Sequence, residues 1–166
     1  MAHVTTSDSA VECFATLAVP VAVDAVWELL HDEAVLAKIL AGDGPLPPVT
    51  GVTDIDGAWA RAGDSRSIEF ADGSGAHEEL VLDERPTQVR YRITGFTSKA
   101  LAATLSQVDG AFLLTHDGCT TTLNWRYTLH PSPGTSLSAL AAAGRQSWLP
   151  YMGRILDAIN VELLDR

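Results

Sequence analysis

The chain has 166 residues, of which 46% are hydrophobic and 19% charged, and its 11 basic and 21 acidic side chains give a formal net charge of −10. This length and apolar content allow one domain with a substantial core, which excludes a disordered chain. The excess of carboxylates would repel phosphates, so we expect neither nucleic acid nor an anionic membrane surface as a partner.

Hydrophobic periodicity and turn residues predict one strand, two short helices, six further strands and a long C-terminal helix. The first strand is predicted over 11–18 and ends at Pro20, and the two short helices follow over 22–30 and 33–40. Gly, Asp and Pro residues then separate six strands, over 49–56, 65–70, 76–83, 88–94, 104–115 and 119–129. About 30 residues at the C-terminus carry apolar or small residues at helical spacing, and Pro150 is expected to kink that helix.

These elements predict the α+β class, because no helical crossovers separate the later strands as a doubly wound parallel sheet would require. We expect a helix-grip fold, in which a curved seven-stranded antiparallel sheet wraps around the long C-terminal helix and two short helices lie between strands 1 and 2. Asp117-Gly118 is the sharpest turn signal and predicts a two-residue type I′ hairpin. Residues 1–10 are expected to be a flexible N-terminus, and residues 11–166 a single domain.

Several kinds of site have no motif in the sequence. Cys13 and Cys119 lie far apart with no CxxC or Cys/His spacing, and no pair of the five histidines has metal-ligand spacing, so we expect no metal. No phosphate-binding glycine-rich loop and no serine-nucleophile motif occurs, so nucleotide binding and nucleophilic serine chemistry are not supported. We expect no cofactor. The N-terminus does not look like a signal peptide and no run of about 18 apolar residues exists, which predicts a cytoplasmic protein without membrane insertion.

Three stretches carry a resemblance to a known superfamily. They are the run from Val19 to Asp32, with its Val26-Trp27 pair; Gly63-Asp64-Ser65-Arg66 followed by Asp72-Gly73 and Glu78-Glu79-Leu80; and Tyr91-Arg92-Ile93 with Leu123-Asn124-Trp125-Arg126-Tyr127. In this order they resemble the START/Bet v 1-like (SRPBCC) superfamily, and within it the polyketide cyclase/dehydrase-like branch. The resemblance covers nearly the whole chain after residue 10. It implies a hydrophobic cavity between the sheet and the C-terminal helix that holds one small apolar ligand.

Alternation along the predicted strands indicates which side chains face that cavity, because strand side chains point to opposite faces with period two. Trp125 and Tyr127 share one face of the last strand with leucines, and Trp148 and Met152, four residues apart, share a face of the covering helix. The expected ligand-binding residues are therefore Trp125, Tyr127, Trp148, Met152, Ile68, Phe70 and Ile93. The alternative for the aromatic residues is ordinary core packing.

Glu78 is the most informative carboxylate in the sequence. It has the same parity as Leu80 and Leu82, which predicts that it lies on the apolar face of the sheet. Burial there would raise its pKa and suit it to general acid–base work or to a hydrogen bond with a ligand. The resemblance supports this position, because a matching glutamate in hormone receptors of the superfamily faces the ligand cavity. The alternative is a strand-end carboxylate that reaches water or an arginine.

Arg66 and Tyr91 are the other candidate catalytic residues. Arg66 lies on the apolar face one hairpin away from Glu78, where it could form either a structural ion pair or part of a catalytic pair. The hydroxyl of Tyr91 could donate a hydrogen bond to a carbonyl or enolate oxygen. His77, next to Glu78, is expected near the cavity mouth and is a weaker candidate for proton transfer.

Three classes of function remain open from the sequence. The first is an enzyme that cyclises or dehydrates a polyketide-like molecule, with Glu78, Arg66 and Tyr91 as catalytic residues. The second is a carrier or sensor of a hydrophobic, polyketide- or lipid-like metabolite, and the third is a partner module like the chaperone-ATPase activators of the superfamily, for which no motif is present. The strand over 49–56 lacks the lysine with which the superfamily's hormone receptors hold a ligand carboxylate, so an acidic hormone ligand is not expected. We expect a monomer or a homodimer.

Overall fold

In a computed structural model, which describes residues 1–42 and 44–165, eight antiparallel strands form one sheet in the order β1-β2-β8-β7-β6-β5-β4-β3. Positions 43 and 166 of the predicted 11–166 domain lie outside the described residues. The strands are β1 (His3–Thr6), β2 (Val11–Val19), β3 (Val49–Asp56), β4 (Ser65–Phe70), β5 (Gly75–Glu84), β6 (Gln88–Thr94), β7 (Leu105–His116) and β8 (Thr121–Pro131). The α-helices are α1 (Val23–Leu30), α2 (Glu33–Leu40), α3 (Lys99–Thr104), α4 (Leu137–Ala143) and α5 (Leu149–Leu164). The expected α+β class and the sheet wrapped around a C-terminal helix are confirmed.

The sheet has eight strands rather than seven, because residues expected to be flexible form an edge strand. His3–Thr6 pairs antiparallel with the start of β2, with Val4 opposite Cys13. The outer edge of β2 offers a row of unpaired backbone groups, which a short polar strand can satisfy although its own sequence pattern is weak. Val4 also packs against the hydrophobic core. The expectation of a flexible N-terminus is therefore wrong for residues 3–6.

The C-terminal helical region is interrupted where a kink was expected. A π-helical segment, Gly144–Trp148, joins α4 to α5, and Pro150 stands in the first turn of α5. Proline lacks an N–H and its ring would clash with the carbonyl four residues earlier, and a wider π turn accommodates both effects. The buried residues along this region are Leu140, Ala141, Trp148, Met152, Ile155, Leu156, Ile159 and Leu163.

Helices α1 and α2 lie between β2 and β3, and α2 packs against α5 and β3. The side chain of Asp32 caps α2 by accepting a hydrogen bond from the backbone N of Val35, which explains why a new helix begins there. The ring of His31 links α1 to the sheet, because its Nε2 lies 2.6 Å from Oδ2 of Asp83 and its Nδ1 lies 2.9 Å from the Trp27 carbonyl. These contacts hold the helical pair against one end of the sheet.

The hairpin between β7 and β8 differs from the expected two-residue turn. Four residues, 117–120, separate the strands, and Gly118 has a positive φ of 94° while Asp117 does not. Oδ1 of Asp117 instead accepts hydrogen bonds from the backbone N atoms of Cys119 and Thr120. The side chain of Asp117 therefore stabilises a four-residue turn over 117–120, in place of the expected two-residue turn at Asp117-Gly118. Across the described residues, no helix is long and apolar enough to span a membrane.

Candidate functional site

A cavity of about 300 Å³ lies between the concave face of the sheet, α2 and α5. Strands β3 to β8 form its floor and walls, and the helices cover it. Most of its lining is aliphatic or aromatic, including Leu30, Leu36, Leu40, Val52, Trp59, Ile68, Phe70, Val89, Tyr91, Ile93, Phe112, Trp125, Tyr127, Tyr151, Ile155 and Ile159. The charged residues in the lining are Glu33, Arg66 and Glu78.

Strand register brings the polar and aromatic parts of the lining together. Arg66 lies directly opposite Glu78 across the β4–β5 ladder. In the next row, Tyr91 lies opposite Gly110, and Gly110 lies opposite Tyr127 on the following strand. Directly opposed residues of an antiparallel pair share one face of the sheet, so these side chains point into the same space.

The structure places the predicted residues of the strands in the cavity wall: Arg66, Ile68, Phe70, Glu78, Tyr91, Ile93, Trp125 and Tyr127. The two predicted residues of the helical region are not part of this wall. Met152 is fully buried in the core, and Trp148 lies behind Tyr127, edge-on at 4.9 Å between ring centroids. Trp148 borders a second cavity, of about 220 Å³, that α3 and α4 also line. The expectation that these two residues line the first cavity is therefore wrong.

The face that α5 turns to the cavity consists of Tyr151, Ile155 and Ile159, which follow one another at four-residue intervals. The apolar stripe of the helical region is buried at Trp148, Met152, Ile155 and Ile159, but of these four only Ile155 and Ile159 border the cavity. His77 was also misplaced, because it is exposed and lies on the sheet face opposite to Glu78.

Arg66 is the centre of the polar end of the cavity. Its Nε donates a hydrogen bond of 2.8 Å to Oε2 of Glu78, and its Nη1 donates one of 2.7 Å to Oε1 of Glu33. Its guanidinium carbon lies 3.9 Å from the ring centroid of Trp59. Sequence reasoning found Arg66 and Glu78 but missed Glu33 and Trp59, because a helix N-terminus and a loop give no alternation from which to assign a face.

Trp59 is held over the cavity mouth by the loop that joins β3 to β4. Its φ of 53° lies in the left-handed region, which is uncommon for a bulky side chain. Oδ2 of Asp64 accepts hydrogen bonds from the backbone N atoms of Ala60 and Arg61, which flank this conformation on its C-terminal side. The loop therefore presents the indole to Arg66 through fixed backbone contacts.

No protein-family model matches the chain, and no curated protein is significantly similar to it in sequence. Solved structures do resemble it. StfQ, a di-domain ARO/CYC from the steffimycin biosynthetic pathway, has a TM-score of 0.71 at 16% identity, covering 96% of this chain and 52% of StfQ. Norcoclaurine synthase from Thalictrum flavum has a TM-score of 0.65 at 15% identity, covering 95% of this chain and 90% of the synthase. Ara h 8.0201 has a TM-score of 0.68 at 16% identity, covering 93% of this chain and 98% of that protein.

This chain has the helix-grip fold of the Bet v 1-like proteins. The resemblance inferred from the sequence is thus confirmed for the fold. The chain spans about half the length of StfQ, which is a di-domain protein. Fold alone does not decide function, which depends on the side chains in the cavity.

Within the helix-grip cavity, the carboxyl of Glu78 has a raised pKa. Burial is the main cause, and the positive charge of Arg66 opposes it. The residue is 8% exposed, and among the described residues its Oε1 accepts no hydrogen bond. Glu78 therefore presents one oxygen to Arg66, and its other oxygen has no hydrogen-bond partner among the described residues.

The phenols of the helix-grip cavity act as hydrogen-bond donors at neutral pH. Burial raises the pKa values of Tyr91 and Tyr127 and raises that of Tyr151 to about 12. A protonated phenol can donate to a carbonyl oxygen and can also accept a hydrogen bond.

Among the described residues, no three His, Cys, Asp or Glu side chains come together as a group that could hold a metal ion.

Proposed function

We propose that the protein binds a small hydrophobic molecule that contains rings, of polyketide-like or lipid-like character, in the cavity between the sheet and α5. The observation that carries this proposal is the cavity itself, about 300 Å³ in volume and lined mainly by aliphatic and aromatic side chains with one charged end. Ligand pockets commonly measure about 300 to 1,000 Å³, so this volume suits a compact molecule of two or three rings better than a long acyl chain.

The structural neighbours support a ligand with rings. The norcoclaurine synthase structure holds dopamine and hydroxybenzaldehyde, and StfQ is an ARO/CYC of the steffimycin biosynthetic pathway. In this chain, Trp125, Tyr127 and Tyr91 supply ring faces and edges for a similar molecule, with centroid separations of 5.0 Å between Trp125 and Tyr127 and 6.3 Å between Tyr91 and Tyr127. Aromatic pairs favour such spacings, so a planar ligand can join the cluster.

Two alanines on α2 provide a matched test of this binding site. Both are exposed, but Ala37 borders the cavity, whereas Ala34 is not part of the lining. N-phenyl-1-naphthylamine, an uncharged fluorescent probe, is expected to bind the wild type with increased emission. Ala37→Phe should weaken binding by about tenfold or more, because the ring enters the cavity, and Ala34→Phe should leave it unchanged. No binding to the wild type, or equal loss in both variants, would contradict the proposal.

A second function is favoured by the buried carboxyl of Glu78, whose pKa is raised by burial, which makes its carboxylate a stronger base than an exposed one. We propose that Glu78 acts as a general base and then a general acid in the dehydration that follows an aldol-type ring closure. Its carboxylate removes the proton next to a ketone, the Tyr91 hydroxyl stabilises the enolate oxygen, and the carboxyl returns the proton to the β-hydroxyl, which leaves as water. Arg66 holds Glu78 in position through its 2.8 Å hydrogen bond.

Dehydration of 4-hydroxy-4-phenyl-2-butanone to a conjugated enone tests this chemistry by ultraviolet absorbance. Glu78→Gln should slow the reaction by about 10²- to 10⁴-fold while leaving the affinity for the hydroxyketone nearly unchanged. Glu79→Gln is the control, since Glu79 is the next residue of the same strand and points to the other face of the sheet. A wild type no faster than buffer would contradict catalysis and would leave the binding proposal to its own test.

A further inference from the structure

Arg66 is already engaged by the protein at the polar end of the cavity. Glu78 and Glu33 accept hydrogen bonds from two of its nitrogens, at 2.8 and 2.7 Å, and the ring of Trp59 covers its guanidinium at 3.9 Å. The Arg66 side chain is 16% exposed and that of Glu78 10%, whereas the side chain of Glu33 is 60% exposed. Glu33 therefore reaches this buried pair from the solvent side.

The cavity offers no spare positive charge to a ligand. Within the described part of the chain, Arg66 is the cationic residue of the lining, and two carboxylates face it. With Glu78 ionised, the three side chains carry one net negative charge, and with Glu78 protonated they carry none. A ligand carboxylate would have to enter this group without a counter-ion or displace Glu33, and burying an uncompensated charge is costly.

A neutral oxygen meets a different situation. A guanidinium carries five N–H donors, and the contacts to Glu33 and Glu78 use two of its nitrogens. A ketone or amide oxygen can therefore accept a hydrogen bond from the guanidinium or from the buried phenols without adding charge. The polar end has donors for a neutral acceptor but no unbalanced cation for an anion.

We propose that Glu33, by occupying Arg66, makes the cavity reject ligand carboxylates and select uncharged ligands that carry a carbonyl oxygen. Glu33 is in this view a specificity-determining residue, although it lies at the start of α2 and outside the apolar face of the sheet. The inference rests on the proposed binding function and names its ligand class. According to this inference, the cavity binds neutral ring ketones and amides in preference to fatty acids and other hydrophobic carboxylates.

Two probes of nearly equal shape test the inference, 2-naphthamide and 2-naphthoate, measured by calorimetry at pH 7.5. The wild type should bind the amide at least about tenfold more tightly than the carboxylate. Glu33→Gln should leave the affinity for the amide unchanged and raise that for naphthoate about fivefold, the effect expected from removing one exposed partner of Arg66. Circular dichroism and thermal unfolding of each variant establish that it is folded.

Glu28→Gln is the matched control, because it removes the same charge from an exposed residue, on α1, that pairs with Arg85 outside the cavity. It should change neither affinity. Equal affinities of the wild type for the two probes, or the same gain in naphthoate binding from Glu28→Gln as from Glu33→Gln, would overturn the inference while leaving ligand binding intact. Failure of both probes to bind would instead overturn the proposed function, and the inference with it.

Discussion

The ring of Tyr91 lies directly over Gly110, its cross-strand neighbour on β7, so that a β-carbon at residue 110 would overlap the phenol. Glycine is needed here for space and not for its backbone freedom, since Gly110 has no positive φ. The missing side chain allows Tyr91 to extend over β7 toward Tyr127, which lies opposite Gly110 on β8. A single absent methyl group thus sets the position of a candidate ligand-binding phenol.

Gly110→Ala should therefore destabilise the protein by about 1 to 3 kcal/mol, because the added methyl group forces the Tyr91 ring out of its place. It should also weaken binding of N-phenyl-1-naphthylamine, since the displaced ring enters the cavity. Gly153→Ala is the control: it lies within α5, where a β-carbon meets no atom within 4 Å. That change should stabilise the protein by about 0.5 to 1 kcal/mol. A Gly110→Ala variant as stable as the wild type, with unchanged binding, would show that Tyr91 is not confined in this way.

Glu78 should make the stability of the protein depend on pH in a defined direction. Its pKa is raised in the folded state by burial, so the folded protein holds this proton more tightly than the unfolded chain does. The resulting stabilisation is complete below the unfolded pKa, about 4.3 for glutamate, and is lost as the pH rises through the raised value. Relative to Glu78→Gln, the wild type should therefore lose free energy of unfolding as the pH increases from 4 toward neutrality.

Urea denaturation of the wild type and of Glu78→Gln across this pH range measures the difference between their free energies of unfolding. Contributions from the titratable groups that both proteins share largely cancel in that difference. If the attraction of Arg66 outweighed burial, the trend would reverse and the wild type would gain stability over Glu78→Gln with rising pH. Arg66→Ala provides a second comparison, because it leaves Glu78 buried without its cation. Its loss of stability should be greater at pH 8 than at pH 4, where Glu78 is protonated more easily.

The two cysteines should differ sharply in reactivity. Cys13 has no exposed surface, and burial raises the pKa of its thiol to about 12, whereas Cys119 is exposed. Since the thiolate is the reacting species, a thiol reagent at pH 8 should titrate one group per native chain rapidly and a second only after unfolding. Cys119→Ser should remove the rapid reaction. Two rapid equivalents in the native wild type would contradict the burial of Cys13.

Strand β1 should contribute to stability through Val4. This side chain packs against the core next to Gly144 of the π-helical segment, while Thr5 on the same strand is exposed. Val4→Ser should lower the free energy of unfolding by about 1 kcal/mol, a partial share of the burial of a valine. Thr5→Ser, the matched change on the outer face, should have little effect. Equal stability of the two variants would return residues 3–6 to the flexible N-terminus that the sequence suggested.

Local pattern was enough to identify seven of the eight strands of the described chain and to assign the faces of their side chains. The bounds of β4 and β6 agree with those predicted, and Glu78, Tyr91 and Trp125 lie on the predicted face. The reason is that alternation is a property of the strand itself, independent of what packs on it. The order of strands without helical crossovers likewise led to the α+β class before any contact was known.

Where a side chain's position depends on another element, local pattern failed. Trp148 and Met152 are apolar and correctly spaced, yet Trp148 packs behind Tyr127 and Met152 lies in the core, while Tyr151, Ile155 and Ile159 border the cavity. The pairing of His3–Thr6 with β2 depends on the unpaired edge of that strand, which residues 1–10 do not encode.

The polar end of the cavity shows the same division at the scale of single atoms. The alternation of side chains along β4 and β5 placed Arg66 and Glu78 on one face of the sheet. The third partner, Glu33, begins α2 and lies 33 residues before Arg66 in the sequence. Its contact exists only because α2 packs against α5 and β3, which brings the start of the helix to the mouth of the cavity. Alternation along the chain therefore decided which side chains face inward, and long-range packing alone decided which charges meet there, because a Coulomb contact depends on distance in space and not on position in sequence.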